Sequence, residues 1–255
     1  MKHILLALTS SVLLTSTLFA TQLITDKNTL QALKKQNKIL QNPVLSIEGA
    51  IEKPGSYVLK IEARSPRGSQ LISAVLDKKT GELYIGTAYD KEGNLMAYPK
   101  DAKAIKEGVA FSYGDKGKDI YIVTDPECPY CSRFEKAAAG KLGDYKVHVI
   151  LMPLSFHKKA PAMIEWIMQG KDDVQRKERF EKVMLKGSTD YQSFIQEVKK
   201  PFVYSDSMKE KMKKVNKATM ELDVQGTPAI YDENFVPVSQ KQLFTHIQKK
   251  KNGDK

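Results

Sequence analysis

The residues best suited to carry chemistry are the two cysteines, which stand two residues apart in the segment Cys128-Pro129-Tyr130-Cys131. An apolar run before them predicts a strand, and the residues after them predict a helix that begins at Cys128. This spacing places both sulfur atoms near the first helical turn, close enough to form a disulfide. Cys128 is then expected at the helix N-terminus, where unpaired N–H groups and the helix dipole favour a thiolate.

Such a pair is suited to thiol–disulfide exchange. A thiolate at Cys128 attacks a substrate disulfide and forms a mixed disulfide, and Cys131, deeper in the helix, then attacks Cys128 and releases the substrate. Pro129 suits the first helical turn, because its missing N–H is no loss there. The pattern therefore predicts a redox-active pair in which Cys128 is the nucleophile and Cys131 the resolving thiol.

Two other uses of the cysteines compete with exchange. A structural disulfide would close a very short loop and contribute little to stability. Zinc needs about four ligands, but there is no second cysteine pair, and the mid-chain histidines are only His148 and His157. We interpret His148 as a strand residue and His157 as a loop residue. The strand–CxxC–helix context favours the redox use, with no metal and no cofactor.

A second motif is Gly226-Thr227-Pro228-Ala229, where a proline directly precedes an apolar strand. Proline is unusual in a central strand, and its position is explained if the Thr227–Pro228 bond is cis. A cis bond would place the Thr227 backbone beside Cys128, where an extended substrate could pair with it. The alternative is a trans proline at the start of an edge strand.

Composition and the N-terminus set the class and the compartment. The chain has 41 Lys plus Arg, 30 Asp plus Glu and 41% hydrophobic residues, which is a globular balance. The net charge of +11 fits nucleic acid, membrane surfaces or simple solubility, and does not choose among them. Residues 1–20 combine a basic start, an apolar run and a terminal alanine, as in a secretory signal peptide; a retained N-terminal anchor is the alternative. Export would place the cysteines in a disulfide-permissive compartment and argues against a nucleic-acid partner.

The remaining sequence predicts the elements that position these motifs. Residues 26–40 predict an amphipathic helix, and residues 44–98 a small antiparallel sheet with no cysteine or histidine. The later part predicts strands at 119–124, 146–152 and 229–231, a long helical stretch at 158–222 and a final helix at 240–250. This order predicts an α/β domain whose central strands are covered by helices.

Together these motifs resemble thioredoxin-fold proteins, and more narrowly the periplasmic DsbC/DsbG family of disulfide isomerases, with DsbG as the most similar member. Residues 125–131 are similar to the DsbG active-site segment, in which an aromatic residue usually stands at the position of Glu127. Residues 224–231 resemble the family's cis-proline segment, and residues 45–98 its dimerisation domain. Cys-Pro-Tyr-Cys also occurs in glutaredoxins, which are much smaller and lack an export signal.

The resemblance implies a domain plan. Residues 1–20 are the signal peptide, 21–98 a cystatin-like α+β dimerisation domain, 99–112 a linker helix, and 113–255 an α/β thioredoxin-like catalytic domain with a helical insertion at about 158–222. It implies a V-shaped homodimer in the periplasm with both active sites facing a cleft. It also implies exported protein substrates with disulfides or oxidised cysteines, and a membrane electron donor of the DsbD type.

Within the resemblance, Thr227 and Pro228 form the substrate-binding turn, and Pro129 and Tyr130 tune the redox behaviour of the pair. Glu127 departs from the family pattern. A carboxylate directly before Cys128 disfavours the thiolate, and Arg133 and Lys136 on the following helix offset it. The alternatives are that Glu127 selects basic substrates or is a solvated surface acid.

A second departure concerns the position six residues before Cys128. Thioredoxin carries a buried aspartate there that serves proton transfer during reduction, whereas this chain has Ile122. The absence of that carboxylate points away from a general reductase.

Three hypotheses follow. The first is a periplasmic disulfide isomerase or reductase of the DsbC/DsbG type. The second is a dithiol oxidase like DsbA, recharged by a DsbB-type partner, because redox poise depends on the stability of the Cys128 thiolate. The third is a chaperone-like holdase that uses the dimer cleft and would survive replacement of both cysteines.

Overall fold

A computed structural model describes residues 23–66, 68–195 and 202–253; the predicted signal peptide lies outside the described residues. The strands are β1 Leu23–Ile24, β2 Leu45–Glu52, β3 Ser56–Ser65, β4 Gly68–Asp77, β5 Leu83–Ile85, β6 Phe111–Tyr113, β7 Lys118–Thr124, β8 Tyr145–Leu151 and β9 Ala229–Tyr231. The helices are α1 Lys27–Lys35, α2 Ala102–Gly108, α3 Pro129–Ala138, α4 Ala160–Met168, α5 Asp173–Met184, α6 Asp206–Glu221 and α7 Gln240–Gly253, with a 3₁₀ helix at Asp190–Phe194.

Contacts divide the chain into two compact units. The first comprises Met1–Glu62 with Ile72–Tyr98, and the second comprises Ala63–Leu71 with Pro99–Lys255. We call them the N-terminal unit and the cysteine unit.

The N-terminal unit is built on an antiparallel sheet in which consecutive strands are neighbours, in the order β1-β2-β3-β4-β5. Helix α1 begins after Asp26, whose carboxylate accepts a hydrogen bond from the Thr29 N–H at 2.8 Å. Leu30 and Leu33 of this helix pack into one apolar cluster with strand residues such as Leu59. This helix is shorter than predicted and ends at Lys35, after which residues 36–42 form turns.

The cysteine unit is built on a four-stranded mixed sheet in the order β6-β8-β7-β9. β7 and β8 are parallel, as a strand–helix–strand unit requires, whereas β6 and β9 run antiparallel to their neighbours. Central strand β7 is buried from Ile120 to Thr124, because both of its faces are covered. A single large apolar core surrounds this sheet.

The predicted linker differs from the structure at its end. Helix α2 ends at Gly108, and residues 111–113 form edge strand β6 instead of continuing a helical linker to residue 112. Phe111 is buried on this strand, and the Ser112 N–H donates to the Asp173 carboxylate at 2.9 Å. The strand therefore depends on partners that lie far away in the sequence.

The predicted helical stretch at 158–222 contains α4, α5, the 3₁₀ helix and α6, and the break after α5 falls at Gly187, which has a positive φ of 66°. Helix α6 packs closely on α2 at Gly108. A Cβ atom at Gly108 would lie 2.3 Å from the Cβ of Ala218, so only glycine fits there. Among the described residues, no helix is both long and apolar enough to cross a membrane.

Candidate active site

The two cysteines lie where β7 ends and α3 begins. Cys128 is the N-cap residue of α3, with Pro129 in the first turn and no side-chain hydrogen bond that closes the cap. Both cysteines are free thiols, and they are 4% and 0% exposed, respectively. The structure thus places Cys128 at the helix N-terminus and Cys131 one turn deeper.

The second motif lies directly beside the first. The Cys128 Sγ–H donates to the backbone oxygen of Thr227 at 3.8 Å, across 99 residues of sequence. The Thr227–Pro228 peptide bond is cis, and Pro228 leads into β9, which pairs with β7. The backbone of Thr227 is therefore held next to the outer sulfur by the sheet itself.

Cys131 has a different environment. Burial raises the pKa of its thiol to about 11, against a smaller lowering by the Asp125 N–H, which donates to Sγ at 3.5 Å. The hydroxyls of Thr124 and Thr227 also lower this pKa, although neither reaches hydrogen-bond geometry with any described residue. Cys131 is therefore a protonated thiol at neutral pH and must lose its proton when it attacks.

A buried carboxylate, which the sequence interpretation did not single out, organises the turn before Cys128. Asp125 is 0% exposed, and its Oδ2 accepts from the Leu154 N–H at 2.6 Å and from His157 Nδ1 at 2.9 Å. Its Oδ1 accepts from the Glu127 N–H at 2.8 Å. Three donors satisfy this carboxylate, and they fix the loop before α4 against the active-site turn.

The amino-acid sequence gives little indication of the contact between Asp125 and His157. Asp125 stands at the end of a buried strand, a position from which a side chain reaches neighbouring loops, and His157 stands in a polar loop. Nothing in the sequence links two segments 32 residues apart. His157 does lie in a loop, as predicted, but its ring is bound to Asp125 and is only 14% exposed.

Glu127 has a structural partner. Its Oε2 accepts from the backbone N–H groups of Lys159 at 2.6 Å and Ala160 at 2.8 Å, where α4 begins. The carboxylate thus caps a second helix N-terminus and balances its positive end. This replaces the interpretation of Glu127 as a solvated surface acid.

Two aromatic rings are exposed next to these groups. Tyr130 is 65% exposed, and the Arg133 guanidinium lies 4.4 Å from the centre of its ring. Phe156 is 68% exposed and meets the His157 ring edge-on, with 4.5 Å between the ring centres. Arg133, which was expected to offset Glu127, has a contact with Tyr130 instead.

His148 lies on β8, as predicted, and not near the cysteines. Its Nδ1 is 2.8 Å from the Ser112 hydroxyl, and its ring stacks on Tyr121 with 4.7 Å between the ring centres. Within the ranges that the structure describes, no three histidine, cysteine or acidic side chains come together in a way that would hold a metal ion.

Comparisons with known proteins give structural neighbours only. No family model matches the chain, and no curated protein matches it. DsbG from Helicobacter pylori is similar at 17% identity and a TM-score of 0.35, over 81% of this chain and 100% of that chain. A disulfide interchange protein from Neisseria gonorrhoeae is similar at 21% identity and a TM-score of 0.39, over 56% of this chain and 96% of that chain.

ScsC from Proteus mirabilis is similar at 19% identity and a TM-score of 0.43, over 58% of this chain and 75% of that chain. DsbG is thus among the structural neighbours, as the resemblance predicted, together with a disulfide interchange protein and ScsC. All three similarities have low identity and TM-scores below 0.5, so the chemistry of the site has to be argued from its own residues.

Proposed function

We propose that the chain is a thiol–disulfide oxidoreductase that acts as an isomerase or reductase on disulfides of exported polypeptides. The observation that carries the proposal is the geometry around Cys128. Its sulfur lies at a helix N-cap, 3.8 Å from the Thr227 backbone oxygen, and a second free thiol lies one helical turn behind it. This arrangement supplies a nucleophile, a place for extended substrate backbone and a resolving group.

A single reduction of a substrate disulfide needs only the two thiols and the substrate. The Cys128 thiolate attacks one sulfur of a substrate disulfide, and the other substrate sulfur leaves as a thiolate. Cys131 then attacks Cys128, and a departing substrate thiolate takes the Cys131 proton. This step releases the second substrate sulfur and leaves a Cys128–Cys131 disulfide. Two electrons have moved to the substrate, and a protein donor must return them before the next cycle.

The environment of Cys131 is compatible with both reductase and isomerase chemistry. Burial raises the pKa of its thiol, so Cys131 rests as a protonated thiol and has to lose its proton before or during resolution. In isomerase chemistry, a thiol of the substrate attacks the mixed disulfide instead, which returns Cys128 to its thiolate and rearranges the substrate without net electron transfer.

We also propose a domain architecture and a cellular compartment for the chain. Parallel strands β7 and β8 joined through α3, with β9 antiparallel after a proline, support a thioredoxin-like catalytic domain. For the N-terminal unit we propose the cystatin-like dimerisation role. Its edge strand β5 exposes Tyr84 and Ile85, and exposed apolar edges favour pairing with a second copy. The proposed compartment is the periplasm, and the proposed donor is a membrane protein of the DsbD type.

The first experiment measures the redox state of the cysteine pair in the native cell. Cells are quenched with acid, free thiols are alkylated with a mass tag, and the protein is resolved on a non-reducing gel. A mainly reduced pair is expected, because an isomerase or reductase must hold Cys128 as a thiol. A mainly oxidised pair would contradict this and would favour the dithiol oxidase, recharged by a DsbB-type partner.

A further inference from the structure

The exposed charges near Cys128 all have the same sign in the two segments that flank it. In α3, Arg133 and Lys136 are exposed, whereas Glu135 is buried. In the loop that leads into α4, Lys158 and Lys159 are exposed. A substrate that approaches Cys128 along either segment therefore meets cations.

Short connections hold the segments that carry these cations near the nucleophile. Glu127, which directly precedes Cys128, accepts a hydrogen bond from the Lys159 N–H at 2.6 Å. Arg133 lies over the ring of Tyr130, two residues after Cys128. Within the part of the chain that the structure describes, Arg133, Lys158 and Lys159 have no ion-pair partner.

Apolar surface accompanies the cations. Tyr130 and Phe156 are both more than half exposed, and large exposed rings next to a reactive group are typical of contact surfaces. On the Thr227 side, the exposed acid Asp223 accepts a hydrogen bond from the Gln225 side chain at 2.7 Å. The exposed charges of the α3 and α4 segments are thus positive, whereas the segment that leads to Thr227 carries an exposed acid.

We propose that these aromatic and cationic side chains form a docking rim for polypeptide segments that carry acidic and apolar side chains beside the reacting cysteine. The rim consists of Tyr130, Arg133, Phe156, Lys158 and Lys159. Unpaired cations act together on an approaching anion that comes within about 10 Å of them, because screening is incomplete over that distance. The inference rests on the proposed function, whose substrate class it narrows.

The docking rim predicts a preference for acidic substrates, opposite to the preference for basic substrates that Glu127 suggests in the sequence. A carboxylate before the nucleophile would favour basic substrates, but two backbone N–H groups already bind the Glu127 oxygen. The unpaired charges that remain are positive. Basic segments are therefore disfavoured at this site.

The test uses the full chain with Cys131→Ser, so that only the first exchange step is observed. Three peptides differ only in the residues beside one cysteine, which are Glu, Gln or Lys, and the cysteine carries thionitrobenzoate as a mixed disulfide. The Cys128 thiolate attacks the peptide sulfur, a Cys128–peptide disulfide forms and the coloured thionitrobenzoate anion leaves. Each rate is divided by the rate of the same peptide with a small uncharged thiol, which removes the intrinsic reactivity of the peptide.

The acidic peptide is expected to react roughly tenfold faster than the basic one at low ionic strength, and the difference should shrink in high salt. The double variant Lys158→Glu/Lys159→Glu should remove or invert the preference. The control Lys116→Glu/Lys146→Glu makes the same change in net charge at exposed positions near the other end of β7. It should leave the preference nearly intact.

The aromatic part of the rim has its own variant. Phe156→Ser should slow the reaction severalfold when a leucine stands beside the peptide cysteine, and less when a serine does. Equal rates for the three charged peptides at low salt, or a preference that survives the double lysine variant, would overturn the docking rim and leave the exchange chemistry standing. Failure of every peptide to release thionitrobenzoate would instead contradict the proposed function itself.

Discussion

The two units of the chain differ in whether they bury polar side chains. All of the described buried polar or charged residues belong to the cysteine unit: Thr124, Asp125, Glu135, Glu165, Thr219 and Glu221. The buried side chains described in the N-terminal unit are apolar, and none of its described carboxylates is buried; Asp77, for example, lies in a surface turn. Buried polar groups cost free energy unless they are satisfied. Two of the six, Thr124 and Asp125, lie beside Cys131, and the others lie elsewhere in the cysteine unit.

The units also differ in the apolar surface that they expose. In the N-terminal unit the exposed apolar side chains include Tyr84 and Ile85 on edge strand β5. In the cysteine unit they include Tyr130, two residues after Cys128, and Phe156, whose ring meets that of His157. The exposed apolar side chains thus lie on a strand edge in one unit and, in the other, in the first turn of α3 and the loop before α4.

The largest expected effect tests whether all of the chemistry belongs to the cysteine unit. Cys128→Ser should abolish exchange with a disulfide substrate, because no other described thiol is in position to attack. Cys131→Ser should keep the first step and accumulate the mixed disulfide, which a non-reducing gel and mass spectrometry of the intact adduct would show. Any residual exchange by Cys128→Ser that approaches the rate of the intact protein would refute the assignment of the nucleophile.

The second prediction compares a buried aspartate of the cysteine unit, Asp125, with an aspartate in a surface turn of the N-terminal unit, Asp77. Asp125→Ala leaves three donors without their acceptor in a buried site, which should lower the free energy of unfolding by on the order of 3–5 kcal/mol. Asp77→Ala removes a carboxylate that accepts from the Lys79 and Thr80 N–H groups at 2.8 Å, but water can replace it there. Its effect should be much smaller.

Urea denaturation followed by circular dichroism measures both aspartate variants. Losses of equal size would show that burial does not set the difference between the two carboxylates. The variant Asp125→Asn adds information, because it keeps one acceptor oxygen and should fall between Asp125→Ala and the unmodified chain.

The positions of the cysteines could be predicted from the sequence, whereas the contacts of Asp125 could not. The placement of Cys128 at a helix N-terminus follows from local signals, namely a strand pattern, a proline and a helical pattern. The position of Thr227 beside it was expected from the proline before an apolar strand. The contacts of Asp125 and Glu127 were not predicted, because both join the active-site turn to a loop about 30 residues away. The hydrophobic periodicity of a single segment gives no information about contacts between distant segments.

Strand β6 was missed for the same reason. Its three residues carry no strand pattern of their own, and their stability depends on β8 and on the Asp173 carboxylate. The antiparallel sheet of the N-terminal unit was predictable, since its strands follow one another along the chain and their turns have strong sequence signals.

The third prediction compares a buried and a surface carboxylate of the cysteine unit through the pH dependence of stability. Burial raises the pKa of Glu135 to about 8, and the neighbouring Glu181 carboxylate adds to the rise. The folded state therefore keeps a proton that the unfolded chain releases near pH 4.5, so stability should fall as the pH rises from about 4.5 to about 8. Tyr113, Lys177 and Glu181 line the same cavity, and Lys177 is paired with Glu181 at 2.5 Å.

Glu135→Gln should remove this slope and stabilise the protein at pH 7 by on the order of 2 kcal/mol. The measurement is the urea midpoint at several pH values between 5 and 8. The control is Glu233→Gln, whose carboxylate has a pKa lowered by the Lys118 side chain, so its contribution is lost only as the pH falls below its usual range. An unchanged slope in Glu135→Gln would mean that another group binds the proton.

The smallest expected effect tests the exposed edge of the N-terminal unit. Tyr84 is exposed on β5, where a charged side chain would oppose the approach of a second strand edge. Tyr84→Lys should therefore raise the dissociation constant of the proposed homodimer at least tenfold, which corresponds to about 1.4 kcal/mol. The matched control is Val174→Lys, at another exposed apolar position, on α5 of the cysteine unit. Light scattering over a range of protein concentrations measures the dissociation constant of both variants. If only the α5 variant weakens the dimer, the pairing surface lies on the cysteine unit, and the proposed dimerisation role of the N-terminal unit is wrong.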